Sequence, residues 1–459
     1  MAHRTLLRGG DAVLPTGRTR VDVLLDDGIL RIDPPATASA DEVVDCTDRL
    51  IFPGVVDDQV HLREPGLTHK EDLKTGTEAA AAGGVTTVLE MPNTVPATTT
   101  VELWRAKNRI AAEKAVVNWG FYMGATPENL AELQAAASVA TPGIKIFIGS
   151  STGSLLVDEQ DALERIFAVT SLPICAHCED ETTVRRNRQS VQDRLGEPPW
   201  PHRAHSDIRN EEAAVVCVRR AIDLATRHDH RFHVLHVSTA GELREIAAAG
   251  PQITAEVCPH HLLFDVSHYE RLGSGVQMNP AIKTATDRAA MWQALAEGTV
   301  IQVVATDHAP HTPEEKAAAY PDSPSGLPAL ENSLSLLLTH GPEHSVTVDR
   351  IASAMCDAPA RVWGLVGKGR LEDGYDADVC IVDPTESSTV QNDDQFTKTK
   401  WSPWQGETLT GRVKRTFVAG QTVYENGALR PKVSGHATAV RCDHARGGYH
   451  ATPDGIGLA

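Results

Sequence analysis

The stretch Val55-Val-Asp-Asp-Gln-Val-His-Leu-Arg63 decides how the rest of the chain reads. It begins as an apolar strand, ends in polar groups and leads into an Ala-rich helical run at 75–82. The same alternation recurs along the chain. Further apolar strand candidates fall at 85–91, 117–123, 143–148, 172–177, 232–237, 253–257 and 301–307, with helical stretches at 101–114, 127–137, 211–227 and 287–297. Continuous apolar strands separated by helices predict a parallel sheet covered on both faces. Eight such units, counting 55–61 as the first, predict a (β/α)8, TIM-like barrel over residues 53–362.

The flanks read differently. Residues 1–52 and 363–430 hold short β-like runs at 5–7, 21–25, 29–32, 378–382 and 415–418. Turn signals such as Asp26-Asp-Gly28 and Glu425-Asn-Gly427 break them up. Since the ends of a closed barrel lie close together, the two flanks are expected to form one small composite β-sandwich. Residues 431–459, with Gly447, Gly448, Pro453 and Gly455, read as a loosely ordered tail.

Composition narrows the function. Asp and Glu number 61 against 43 Lys and Arg, a formal net charge of −18. That excludes a general nucleic-acid or anionic-membrane binder, because both partners are polyanions. An anionic small substrate would need a local cluster of positive groups. No window of about 18 apolar residues predicts a membrane span, and the first residues lack the pattern of a secretory signal. The eight Cys are dispersed, mostly in apolar runs, and are expected to be buried free thiols of a reducing cytoplasm. Cys175-Ala-His-Cys178 has no second CxxC to complete a zinc knuckle.

In a barrel of this kind chemistry gathers where the strands end. Gln59, His61 and Arg63 alternate to one side of the first strand. Lys145 lies inside the fourth, and the fifth, sixth and eighth end in His177, His236 and Asp307. A charged Lys inside an apolar strand is costly. Taken singly, each has a plain structural reading. His236, like His233 and His202, reads as a core histidine, Lys145 as a chain snorkelling to the rim, and Asp307-His-Ala-Pro-His311 as a capped turn. Taken together, three imidazoles, a carboxylate and a Lys on one rim point to a metal centre with N and O ligands.

Several motifs then occur in order over residues 50–425: Asp57 to Gly66, Met91-Pro-Asn-Thr94, Lys145 to Gly153, His177-Cys-Glu179, His236-Val-Ser-Thr239, Met278-Asn-Pro280, Ala305 to His311, and Gly369 to Asp378. This series resembles the cyclic amidohydrolases, most closely the dihydroorotase family. The resemblance implies one zinc site on His61, Lys145 and Asp307 and a second on Lys145, His177 and His236, with one or two Zn2+ per chain. It also implies carboxylation of Lys145 at its amine, Asp307 as the catalytic proton carrier, Arg63, Asn93 and His311 on a substrate carboxylate, and Asn279 on the ring. One position departs: Gln59 stands where most members have His, so it is a weak or absent ligand and the first metal site is poorly held. The implied reaction is reversible hydrolysis of L-dihydroorotate to N-carbamoyl-L-aspartate in pyrimidine biosynthesis. The alternatives are a silent homologue serving as structural partner of aspartate transcarbamoylase, and an allantoinase or hydantoinase, whose substrates lack the ring carboxylate that Arg63 suits. A cytoplasmic homo-oligomer, with a homodimer as the expected form, completes the implied picture.

Overall fold

The computed structural model describes residues 3–149, 155–431 and 436–445. Its central strands are Val55–Val60, Val85–Glu90, a third in two pieces (Asn118–Phe121 and Met123–Gly124), Ile144–Gly149, Ile174–Glu179, Phe232–Val234, Ile253–Val257 and Val303–Val304, here strands 1 to 8. Each pairs in parallel with the next, the two pieces of strand 3 serving one neighbour each. A parallel bridge between Val60 and His308 closes the ring, with the His61 amide donating to His308 O at 2.7 Å. The expected (β/α)8 barrel is therefore present.

Small residues let the outer helices sit close to the strands. Helix Leu73–Ala82 buries Ala79 to Ala82, and its N-cap Asp72 accepts the amides of Lys74 and Thr75. Helix Glu211–Arg227 buries Ala213, Ala214, Cys217, Val218, Ala221 and Ala225 along one face. Trp363, fully buried, stoppers the end where strands begin: it packs beside Gly143, donates to Asp58 Oδ2 at 2.7 Å and stacks edge-on against Tyr122.

Three departures from regular strands matter for the site. Strands 6 and 8 stop short of the expected 237 and 307 because His236 (φ 39°) and Asp307 (φ 47°) lie in the left-handed region. Strand 1 contains an irregularity between Asp57 and Val60 and ends there, and Arg63 is also left-handed (φ 64°). The simple alternation expected for Gln59, His61 and Arg63 is thus replaced by a turn, which still delivers all three to one place.

Both chain ends build the β-sandwich. One sheet combines Asp11–Leu14, Gly17–Arg20 and Leu50–Pro53 with Val379–Thr389, Thr408–Val418, Gln421–Glu425 and Ala428–Leu429, and Leu50–Pro53 pairs antiparallel with Val379–Thr389. The other holds Arg4–Arg8, Val23–Asp26, Ile29–Ile32 and Glu42–Asp45. Leu7, Val23, Leu25, Ile51, Val379 and Phe417 fill the core between them.

The tail is not loose where it is described. Ala439 bridges Trp119, Cys442 bridges Leu365, and His444 Nε2 lies 2.9 Å from Thr141 O. Ala437 and Val440 are buried, so apolar contact outweighs the Gly-rich composition here. Gly447, Gly448, Pro453 and Gly455 lie outside the described residues, as do Ser150 to Gly153. All eight Cys are free and seven are buried.

Candidate metal centre

A cavity of about 430 Å³ opens at the strand C-termini. Gln59, His61, Arg63, Asn93, Lys145, His177, His236, Asn279, Asp307 and His311 all line it, so every site residue expected from the sequence is brought together.

Two groups of donors face each other. In the first, Asp307 Oδ1 accepts from Gln59 Nε2 at 3.2 Å and lies 3.0 Å from His61 Nε2. His61 Nδ1 lies 2.8 Å from Asn93 Oδ1. Donation from Nδ1 to that carbonyl leaves the Nε2 lone pair facing the Asp307 carboxylate, an arrangement a cation relieves. Burial holds the His61 pKa down, with Asp307 pulling the other way. Gln59 Oε1 is buried with no hydrogen-bond partner.

In the second group, His177 Nδ1 lies 3.1 Å from His236 Nε2, with the rings edge to face. Glu179 Oε2 sits 3.0 Å behind His177 Nε2 and accepts from Arg209. A carboxylate this near raises the basicity of an imidazole, although His177 Nε2 makes no aligned hydrogen bond here. Burial pushes Glu179 up, but Arg209 and His177 outweigh it and bring the carboxyl down to about 2. The His236 amide donates to Glu256 Oε1 at 3.0 Å, which pins its strained backbone. Burial holds the His236 pKa well below the usual imidazole value.

Lys145 acts on both groups: its charge lowers the pKa of His61 and of His177. It is 1 % exposed, its Nζ sits 4.5 Å from the Phe147 ring centre, and burial lowers its own pKa, favouring the neutral amine. Imidazoles and a Lys amine whose pKa values burial lowers, a carboxylate and an unpartnered amide oxygen form a donor set that fits a borderline divalent cation.

Also lining the cavity, Arg63 Nε donates to Pro310 O at 3.2 Å, and burial brings the guanidinium down to about 10, still a cation at neutral pH. Among the described residues no carboxylate lies within ion-pair distance of it. His311 Nε2 is 3.0 Å from Ser325 O. Gly326 (φ 139°) lets the chain pass there, since a Cβ would come within 2.3 Å of Ala309 O and 2.9 Å of His311 Cδ2.

The sequence reading missed Lys70, Glu179, Arg209 and Glu256. Glu179 had a signal, two places beyond His177 on the same strand face; Arg209 had none. His233 is the core histidine expected, lying 3.1 Å from Glu256 Oε2 and 2.8 Å from Thr254 Oγ1. Asp58, His233 and Glu256 form one buried ligand-type cluster outside the cavity lining, and Cys258, His260 and His261 form another.

A barrel that gathers candidate metal donors at its strand ends has the architecture of a metal-dependent enzyme. The chain belongs to the amidohydrolase family, whose sequence pattern matches residues 50–423. It is 37% identical to a dihydroorotase of Halobacterium salinarum, over 91% of this chain and 96% of that one. It is 32% identical to an allantoinase of Bacillus velezensis, over 94% and 96%. The L-hydantoinase (dihydropyrimidinase) structure from Arthrobacter aurescens superposes with a TM-score of 0.91 at 27% identity, covering 96% of this chain and 100% of that one.

Proposed function

We propose that the chain is a zinc-dependent dihydroorotase, a cyclic amide hydrolase that opens L-dihydroorotate reversibly to N-carbamoyl-L-aspartate. The observation that favours this substrate over allantoin or a hydantoin is Arg63, a buried cation on the cavity wall with no carboxylate within ion-pair distance among the described residues. A buried guanidinium so placed suits a bidentate carboxylate, and dihydroorotate carries one.

His177 and His236, with Lys145 as its carbamate, would hold the better-bound zinc. His61, Asp307 and Lys145 would hold a second, weakened by neutral Gln59. Bound zinc supplies Lewis acidity toward the scissile carbonyl and lowers the pKa of water from 15.7 to about 7. Asp307 takes a proton from the attacking water and returns it to the ring nitrogen as the C–N bond breaks; in synthesis the proton runs in reverse. Arg63, Asn93 and His311 bind the ring carboxylate and Asn279 orients the ring. Leu67, Phe147, Leu155 and Met278 add apolar surface to the cavity walls.

The test is turnover by the purified, zinc-loaded protein. Opening of L-dihydroorotate with a kcat/KM well above that for allantoin or hydantoin supports the assignment. Turnover of allantoin alone overturns it, and a protein that retains no zinc after loading and shows no turnover overturns it in favour of the silent homologue.

A further inference from the structure

Lys70 has no part in the reaction as derived, yet it lines the cavity beside Arg63. It lies in the segment between strand 1 and helix Leu73–Ala82, with its side chain 14 % exposed. Its Nζ is 3.0 Å from His311 Nδ1 and 3.0 Å from Glu315 Oε1. An ammonium has three donors and no lone pair, so His311 Nδ1 must accept. The ring proton then sits on Nε2, facing Ser325 O at 3.0 Å.

Two consequences follow. First, Arg63 and Lys70 both offer donors to His311, which can accept at one nitrogen only; the shorter Lys70 contact and the Ser325 O acceptor beside Nε2 favour Nδ1, which leaves Arg63 Nη2, at 3.3 Å from Nε2, for a ligand. Second, among the described residues two of the three Lys70 N–H groups are engaged, and the third can donate to a ligand. Nearby Lys316 is turned to the carbonyls of Pro324 and Gly326, and Glu315 also accepts the Thr312 amide and faces His69. Two cations, a neutral imidazole and one shared carboxylate leave this wall net positive in a chain of net charge −18. One carboxylate from a ligand compensates it.

We propose that Lys70 is a specificity-determining residue, selecting cyclic amides with a ring carboxylate over neutral ones. It donates to that carboxylate alongside Arg63 and holds His311 in the Nε2–H form. This rests on the dihydroorotase reading above.

The test compares Lys70→Met and Lys70→Arg with wild-type, zinc-loaded enzyme. The ligands are L-dihydroorotate as substrate and its neutral methyl ester as competing ligand. Lys70→Met is expected to raise KM for the acid about ten- to a hundredfold, the loss of one charge-assisted hydrogen bond. The ester's Ki should stay unchanged, which also shows that the site has folded. Lys70→Arg should recover most of the affinity. Equal weakening of acid and ester, or an unchanged KM for the acid, overturns the proposal. If the wild type does not open L-dihydroorotate, the proposed function fails separately. Lys70 is then judged by direct binding: loss of orotate affinity with uracil affinity unchanged supports it, and equal change refutes it.

Discussion

Replacing Glu179 by Gln separates metal positioning from stability. Glu179 ends strand 5, stands 3.0 Å behind His177 Nε2 and accepts from half-buried Arg209. Its carboxyl falls from 4.5 to about 2 in the fold. A group depressed in this way stabilises the fold fully above 4.5 and loses that contribution as pH falls toward 2. The difference is worth about 3 kcal/mol at neutral pH. For a chain of this length that lowers the melting midpoint of the metal-free protein by about 3 °C. The gap between wild type and variant should narrow below pH 4.5, where the wild type loses the same contribution. Separately, loss of the carboxylate behind a ligand His should weaken zinc about ten- to a hundredfold, read by competition with a chelator. Unchanged zinc affinity in a destabilised variant would show that Glu179 serves Arg209 alone, and would refute the positioning role.

Three more substitutions probe the centre. Asp307→Asn keeps an acceptor for Gln59 but removes the proton carrier, so kcat should fall about 10²- to 10⁴-fold while zinc stays on His177 and His236; normal turnover sinks the assignment. Gln59→His adds an imidazole beside Asp307, and elemental analysis should show zinc rising toward two per chain; an unchanged count would mean that Gln59 does not limit the first site. Because burial lowers the Lys145 pKa, its amine is neutral at lower pH than an ordinary Lys. Carbon-13 bicarbonate should therefore give a carbamate resonance already at pH values well below 10.5, where an ordinary Lys is still protonated, and it should be lost in Lys145→Ala; a signal unaffected by that substitution refutes carboxylation at this residue.

The cavity residues were legible because topology does the gathering. Once eight apolar strands run parallel, whatever polar group closes or follows a strand must reach the same rim, however far apart in sequence. That logic reaches His61, Lys145, His177, His236 and Asp307 directly, with Gln59 and Arg63 beside them on the first strand; Asn93, Asn279 and His311 come from the resemblance to the dihydroorotase family. It does not reach Arg209, which lies between helices Ala204–Ile208 and Glu211–Arg227, or Lys70, in a segment with no period to read. Nor does it show where strands break. Arg63, His236 and Asp307 all adopt positive φ, which costs a non-glycine residue about 1–2 kcal/mol. Buried carboxylates hold the chain at each break. Glu90 accepts the Leu62 amide at 3.0 Å, Glu256 the His236 amide at 3.0 Å, and Asp57 the Thr306 amide at 3.1 Å. Each carboxylate comes from a strand paired with the break it holds, so the strain is balanced across the sheet rather than within one strand. A strand alone would read as plain β; only the closed ring makes these bends stable, and the bends turn three of the ten expected residues into the cavity.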